Sequence, residues 1–141
     1  MNLHIEQGKS IQVREHQFLA ATQYVEYEFE RVSGISNMLF GSSGLFIDKF
    51  RCIDGDGILW LHGYGNVFEV ALEEGEMIDV EPGAWLYKDG AVKMDTNMIG
   101  IASGFLSSTN IAMNRFTGPG RVGIQSMYID GAAPPRGSEK K

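Results

Sequence analysis

The chain has 141 residues, with 12 basic and 18 acidic side chains, a formal net charge of −6, 43% hydrophobic and 11% aromatic residues. One domain fits that length, and no apolar run approaches the ~20 residues that span a bilayer. Without the last ten residues the body holds 9 basic against 17 acidic side chains, so it lacks the basic patch that nucleic acid or an anionic membrane surface requires.

The N-terminus, MNLHIEQGKSIQV, carries no basic-then-apolar leader, so no signal peptide is expected. Gly8-Lys9 is the first turn signal. YVEYEFE (24–30) places Val25, Tyr27 and Phe29 on one face and Glu26, Glu28 and Glu30 on the other, which predicts a half-buried strand with a wet acidic face. ISNMLFG (35–41) makes one helical turn at most. ILWL (58–61), after the turn Gly55-Asp56-Gly57, is expected to be buried on both faces. VFEVAL (67–72) follows Gly63-Tyr64-Gly65 and directs Phe68, Val70 and Leu72 inward. Further turns at Pro82-Gly83 and Asp89-Gly90 keep the short spacing of an all-β sandwich or barrel. Residues 132–141, with Pro134-Pro135 and no large apolar side chain, read as a disordered tail behind a single domain of residues 1–131.

An internal repeat organises the domain. GKSIQVREHQFLAATQYVEYEF (8–29) aligns with GEMIDVEPGAWLYKDGAVKMDT (75–96), matching Gly8 to Gly75, Ile11 to Ile78, Val13 to Val80, Phe18 to Trp85 and Val25 to Val92. Phe50 then meets Phe116, and GDGILWL (55–61) meets GPGRVGI (118–124). Two copies, about 8–74 and 75–130, are each too small to bury enough apolar surface alone. Packed face to face they would share one core, to which Phe18, Phe29, Phe46, Phe50, Trp60, Phe68, Trp85, Phe105 and Phe116 contribute.

Gly118-Pro119-Gly120-Arg121-Val122-Gly123 satisfies the spelling of a dinucleotide-binding loop. Such a loop opens a helix and needs backbone N–H groups aimed at phosphate. RVGIQSMYID (121–130) is strand-like, Pro119 removes a donor, and the first copy carries Asp56 at the matching place. The motif is therefore read as a repeat-defining β-turn, with a hairpin around it.

SSGLFIDKFRCIDGDGILWLHG (42–63), LEEGEMIDVEPGAWLYKDGAVKMDT (72–96) and NRFTGPGRVGIQS (114–126) resemble the altered-inheritance-of-mitochondria family of mitochondrial biogenesis proteins and their bacterial relatives. The resemblance covers roughly residues 8–128. It implies a fold similar to the tryptophan RNA-binding attenuation protein, a double-stranded β-helix of two related halves, and no established enzymatic activity. Typical members are longer, and LSSTNIAMNRF (106–116) departs from their Gly-rich Leu-Phe strand.

The remaining chemistry is sparse. Asp48, Asp54 and Asp56 lack the spacing of a calcium loop. His62 and Glu69 could join a metal set on a double-stranded β-helix, but no second His lies two residues from His62. Cys52 has no paired His and reads as an inert thiol; as the lone cysteine it points to a reducing, cytoplasmic setting. Ser42-Ser43 and Ser107-Ser108 satisfy loop backbone rather than forming a nucleophile elbow.

The expectation is an all-β, two-repeat pseudo-symmetric sandwich or barrel of the double-stranded β-helix type. Its task is non-enzymatic binding or scaffolding through a symmetric homo-oligomer, possibly a trimer, with an unknown protein partner. No catalytic, cofactor or metal residues are assigned. Met38, Leu39, Phe40, Leu45, Phe105 and Leu106 form the candidate self-association patch. The alternative is a small-ligand-binding or metal-dependent enzyme using the β-helix interior near His62.

Overall fold

The computed structural model describes residues 1–32, 45–103 and 107–127. Those residues contain no helix and form β1 (Asn2–Ile5), β2 (Ser10–Arg14), β3 (Phe18–Ala21), β4 (Val25–Val32), β5 (Leu45–Cys52) and β6 (Gly57–Leu61). The second half of the chain adds β7 (Val67–Leu72), β8 (Met77–Val80), β9 (Trp85–Asp89), β10 (Lys93–Ser103), β11 (Ser107–Thr117) and β12 (Gly120–Gln125). Three sheets result, in the orders β1-β6-β3, β10-β11-β8 and β4-β5-β2-β9-β12-β7, with every pairing antiparallel.

Among the described residues only β4–β5 and β10–β11 are consecutive strands that pair; the other connections carry the chain from one sheet to another. The Gly-x-Gly turns are thus corners. β5 and β6 belong to different sheets, as do β11 and β12, which corrects the hairpin expected around residues 55–57 and 118–120. A Gly-rich turn marks a reversal of direction without dictating that its flanking strands pair. Gly8 and Gly75 both hold φ near 79° at such corners, a backbone conformation that only glycine adopts cheaply. The strand that directly follows Gly118-Pro119 removes the dinucleotide-loop reading on structural grounds.

Burial divides into two clusters. Leu3, Ile5, Ile11, Val13, Phe50, Cys52, Leu59, Leu61, Leu86 and Tyr87 pack between the β1-β6-β3 sheet and the β5-β2-β9 part of the large sheet. Ile47, Leu72, Val80, Trp85, Val92, Phe116 and Val122 form the second. The single face-to-face core expected from sequence is therefore two cores. The halves meet edge to edge instead, through the β2–β9 ladder of Ile11↔Asp89, Gln12↔Lys88 and Val13↔Tyr87. Each core borrows across that seam: β9 supplies Leu86 and Tyr87 to the first, and β5 supplies Ile47 to the second.

Phe50, Trp85 and Phe116 are buried as expected. Phe18, Phe29, Trp60 and Phe68 are not, at 43%, 58%, 38% and 55% exposure. Trp60 turns outward while Leu59 and Leu61 turn in, so ILWL alternates rather than being buried on both sides. In VFEVAL only Leu72 is fully enclosed and Val70 is half-buried. Phe46 and Phe105 have side chains outside the described residues.

Candidate functional site

Strand β4 ends the six-stranded sheet, with β5 on one side and no strand on the other among the described residues. Its alternation sets Val25, Tyr27 and Phe29 on one face; Val25 packs against the first core, yet Tyr27 is 57% exposed and Phe29 58%. Phe50, opposite Tyr27 on β5, is flanked by two rings: Phe18 at 4.9 Å and Tyr27 at 5.4 Å between centroids. Leu19 beside Phe18 is also exposed. The Tyr27 hydroxyl donates to Asp48 Oδ1 at 2.9 Å, and that bond, with the carboxylate's charge, pushes the phenol pKa up. On the opposite face Glu28 pairs with Lys49 at 3.0 Å, and Glu26 stands across from Arg51. Beyond its place in the β4–β5 ladder, the Glu26 side chain makes no hydrogen bond or ion pair among the described residues.

The β10–β11 hairpin differs in kind. Its ladder runs from Lys93↔Thr117 to Ser103↔Ser107, but β8 backs only Asn114–Thr117. Arg115 anchors the base by donating Nε and Nη2 to the two oxygens of Asp79, each at 2.8 Å, while Asn97 Nδ2 donates to Asp79 Oδ2 at 3.0 Å. The Arg115 hydrogen bonds hold the Asp79 carboxyl below its ordinary range. Beyond that clamp the ribbon has two strands and no third among the described residues. Residues 96–114 contain no charged side chain, and neither do residues 32–47 around the β4–β5 connection.

Of the predicted patch, Met38, Leu39, Phe40, Phe105 and Leu106 lie outside the described residues. Leu45 opens β5 opposite Val32. Phe105 and Leu106 fall in sequence between β10 and β11.

A third constellation escaped the sequence reading. Tyr87 Oη donates to Glu69, Arg121 Nη1 lies 3.9 Å from Glu69, and Asp89 accepts three bonds from Arg121: backbone N at 2.9 Å, Nε at 3.0 Å and Nη2 at 3.0 Å. Burial, then the Glu69 bond, raises the Tyr87 hydroxyl's pKa. Arg121 borders a cavity of about 580 Å³ with Lys9, Glu6, His4, Asp89 and Pro119. The guanidinium is already paired with Asp89, so the turn is stitched shut rather than left open to an anion. Thr22 does the same job at another corner, where its Oγ1 accepts from Ile58 N at 3.0 Å. A short polar acceptor just after β3 and at the end of β9 was the available signal.

The other candidates fall apart in space. His62 is exposed, stacks edge-on against Tyr64 at 4.5 Å, and lines neither this cavity nor the neighbouring one of about 570 Å³ around Tyr24 and Asp56. Cys52 is fully buried, and burial, then the Asp56 charge, pushes its thiol pKa up, the opposite of nucleophile activation. Asp56 accepts from Gln7 N at 2.8 Å and faces His4 Nε2 at 3.5 Å, a loop contact. Among the described residues no three His, Cys, Asp or Glu side chains converge as metal ligands.

The described residues form an all-β protein with open strand edges, β4 and β10 among them. Residues 1–127 match the model of the family described as mitochondrial biogenesis AIM24, and the chain belongs to that family. No curated protein matches it. Among solved structures it is similar to the crystal structure of protein SPYM3_0169 from Streptococcus pyogenes, with a TM-score of 0.63 at 21% identity. That alignment covers 91% of this chain and 55% of the streptococcal one; the chain spans little more than half of that protein, and the likeness is one of fold. No helix among the described residues is long and apolar enough to cross a membrane.

Proposed function

We propose that this chain is a non-enzymatic binding and scaffold protein that assembles with copies of itself through the β10–β11 ribbon. The carrying observation is that ribbon's long, uncharged two-stranded extension beyond Asn114, where β8 stops. A lone hairpin is marginally stable in water, so a two-stranded extension gains from a further partner. In a chain of net charge −6, an uncharged segment is where two copies can meet without like-charge repulsion. A closed trimer in a cytoplasmic setting is our working form, the latter supported by the buried free thiol of Cys52. Light scattering after gel filtration tests the proposal. Assembly of the wild type, reduced by Ile99→Lys and Ile101→Lys, is expected; a wild type that stays monomeric at high concentration sinks it.

The proposal includes a two-repeat, double-stranded β-helix architecture. In its support, β1-β6-β3 has the same order as β7-β12-β9, and β4-β5-β2 the same as β10-β11-β8. Register shifts recur between Phe18 and Ala20 against β6 and between Gly123 and Ile124 against β9. Turn bonds recur too: Val25 N to Thr22 O and Val92 N to Asp89 O, both 3.1 Å, and His62 N to Gln17 O and Gln125 N to Ala84 O, both 2.7 Å. A crystal structure in which residues 8–61 and 75–125 do not superpose would remove it. The ligand- or metal-using reading near His62 has no observation in its favour.

A further inference from the structure

We propose that the outer edge of β4 is a docking site for an extended segment of a partner protein in which apolar and basic residues alternate, bound as a seventh strand of the large sheet. Three properties of the strand converge on that occupant. Its backbone edge is unpaired among the described residues over eight positions, Val25–Val32, a length of roughly 26 Å. One face offers the exposed rings of Tyr27 and Phe29, with Tyr27 tilted against Phe50 at 5.4 Å, a surface for alternate apolar side chains. The other face carries Glu26 and Glu28 on the edge strand itself, with Arg51 and Lys49 one strand behind on β5, so an incoming strand meets the carboxylates first. A strand added to a sheet edge draws affinity from main-chain bonds and selectivity from alternate side chains, and this edge asks for apolar residues on one side and cations on the other.

A second copy fits this edge poorly. Antiparallel self-pairing of β4 that keeps the aromatic face in phase sets Tyr27 opposite Phe29. The same register sets Glu28 opposite Glu28 and Glu26 opposite Glu30, and like charges directly opposed are destabilising. None of the chain's own edge strands, β1, β3, β4, β7, β8 and β10, alternates apolar with basic residues. Charged residues on an edge strand also discourage indiscriminate pairing, so the glutamates would exclude like strands and admit a basic one.

The test uses the full chain and fluorescein-labelled octapeptides. An alternating lysine–valine peptide is expected to bind saturably by anisotropy and to slow hydrogen exchange at the β4 amides. A peptide with the same residues in two blocks, and one alternating glutamate with valine, should each bind at least about tenfold more weakly. Glu26→Lys combined with Glu28→Lys, and separately Tyr27→Ser, should each cost about tenfold, with circular dichroism confirming that these surface variants stay folded. Equal binding of the block peptide, unchanged binding by the charge-reversed variant, protection elsewhere than β4, or no saturable binding at millimolar peptide overturns the proposal. Assembly through the ribbon is read separately by light scattering, so either result can fail without the other.

Discussion

The two hairpins place opposite chemistry on a similar framework. β4–β5 is charged and aromatic over residues 26–31 and 48–51, with Lys49 set against Glu28 and Tyr27 bonded to Asp48. β10–β11 is uncharged from residue 96 to 114 and is clamped at its base by Asp79, which accepts from Arg115 and Asn97. An edge bearing like charges restricts what can pair with it, whereas an uncharged ribbon does not. The contrast separates the edge proposed to dock a foreign strand from the ribbon proposed to meet copies of the same chain.

The largest effects should come from the cores beneath the hairpins. Phe50 and Phe116 are fully buried in different clusters, so Phe50→Ala and Phe116→Ala should each cost about 3–5 kcal/mol in urea unfolding. Because the clusters are distinct, the double variant should equal the sum within ~0.5 kcal/mol. Coupling well above that would merge the two cores and undo the comparison. Gly123→Ala comes next: its Cβ would strike the ring of Tyr87, and overpacking of this kind costs about 1–3 kcal/mol, read as a lower melting temperature.

Smaller again is the ribbon's clamp. Asp79→Asn should cost about 1 kcal/mol near neutral pH, since the pair is partly solvated. The sign with pH follows from the lowered Asp79 pKa: its contribution is present above the unfolded value of about 3.9 and is lost as pH falls through the lower folded value. Urea midpoints below about pH 4 should therefore drop more steeply for wild type than for Asp79→Asn. A matching slope in both would detach the ribbon from its anchor. The smallest change belongs to Lys49→Ala, where loss of an exposed pair with Glu28 should stay under about 1 kcal/mol.

Much of the fold was legible in the sequence, and particular residues explain the rest. The alternation in YVEYEFE located β4 and sorted its faces correctly, but a period of two says only which residues share a face. Whether anything covers that face depends on sheet order, and β4 lies at the end, so Tyr27 and Phe29 emerged where burial was expected. Gly55-Asp56-Gly57 and Gly118-Pro119-Gly120 were recognised as turns, while the assignment of flanking strands to different sheets is a long-range matter invisible in a short window. Arg121 was noticed only as part of a false cofactor motif. Its partners Asp89, Glu69 and Tyr87 lie 32 or more positions away or on other strands, and no local pattern joins them.

The seam between β2 and β9 carries a further consequence. Since Leu86 and Tyr87 complete one core and Ile47 the other, neither half is finished without side chains from its neighbour. A chain cut in the connection between β6 and β7 would leave two fragments that each hold a missing piece of the other, so the nicked protein should reassemble from its parts. Two intact chains could also trade halves across the same seam, an exchange that the short β2–β9 ladder would permit without breaking either hairpin.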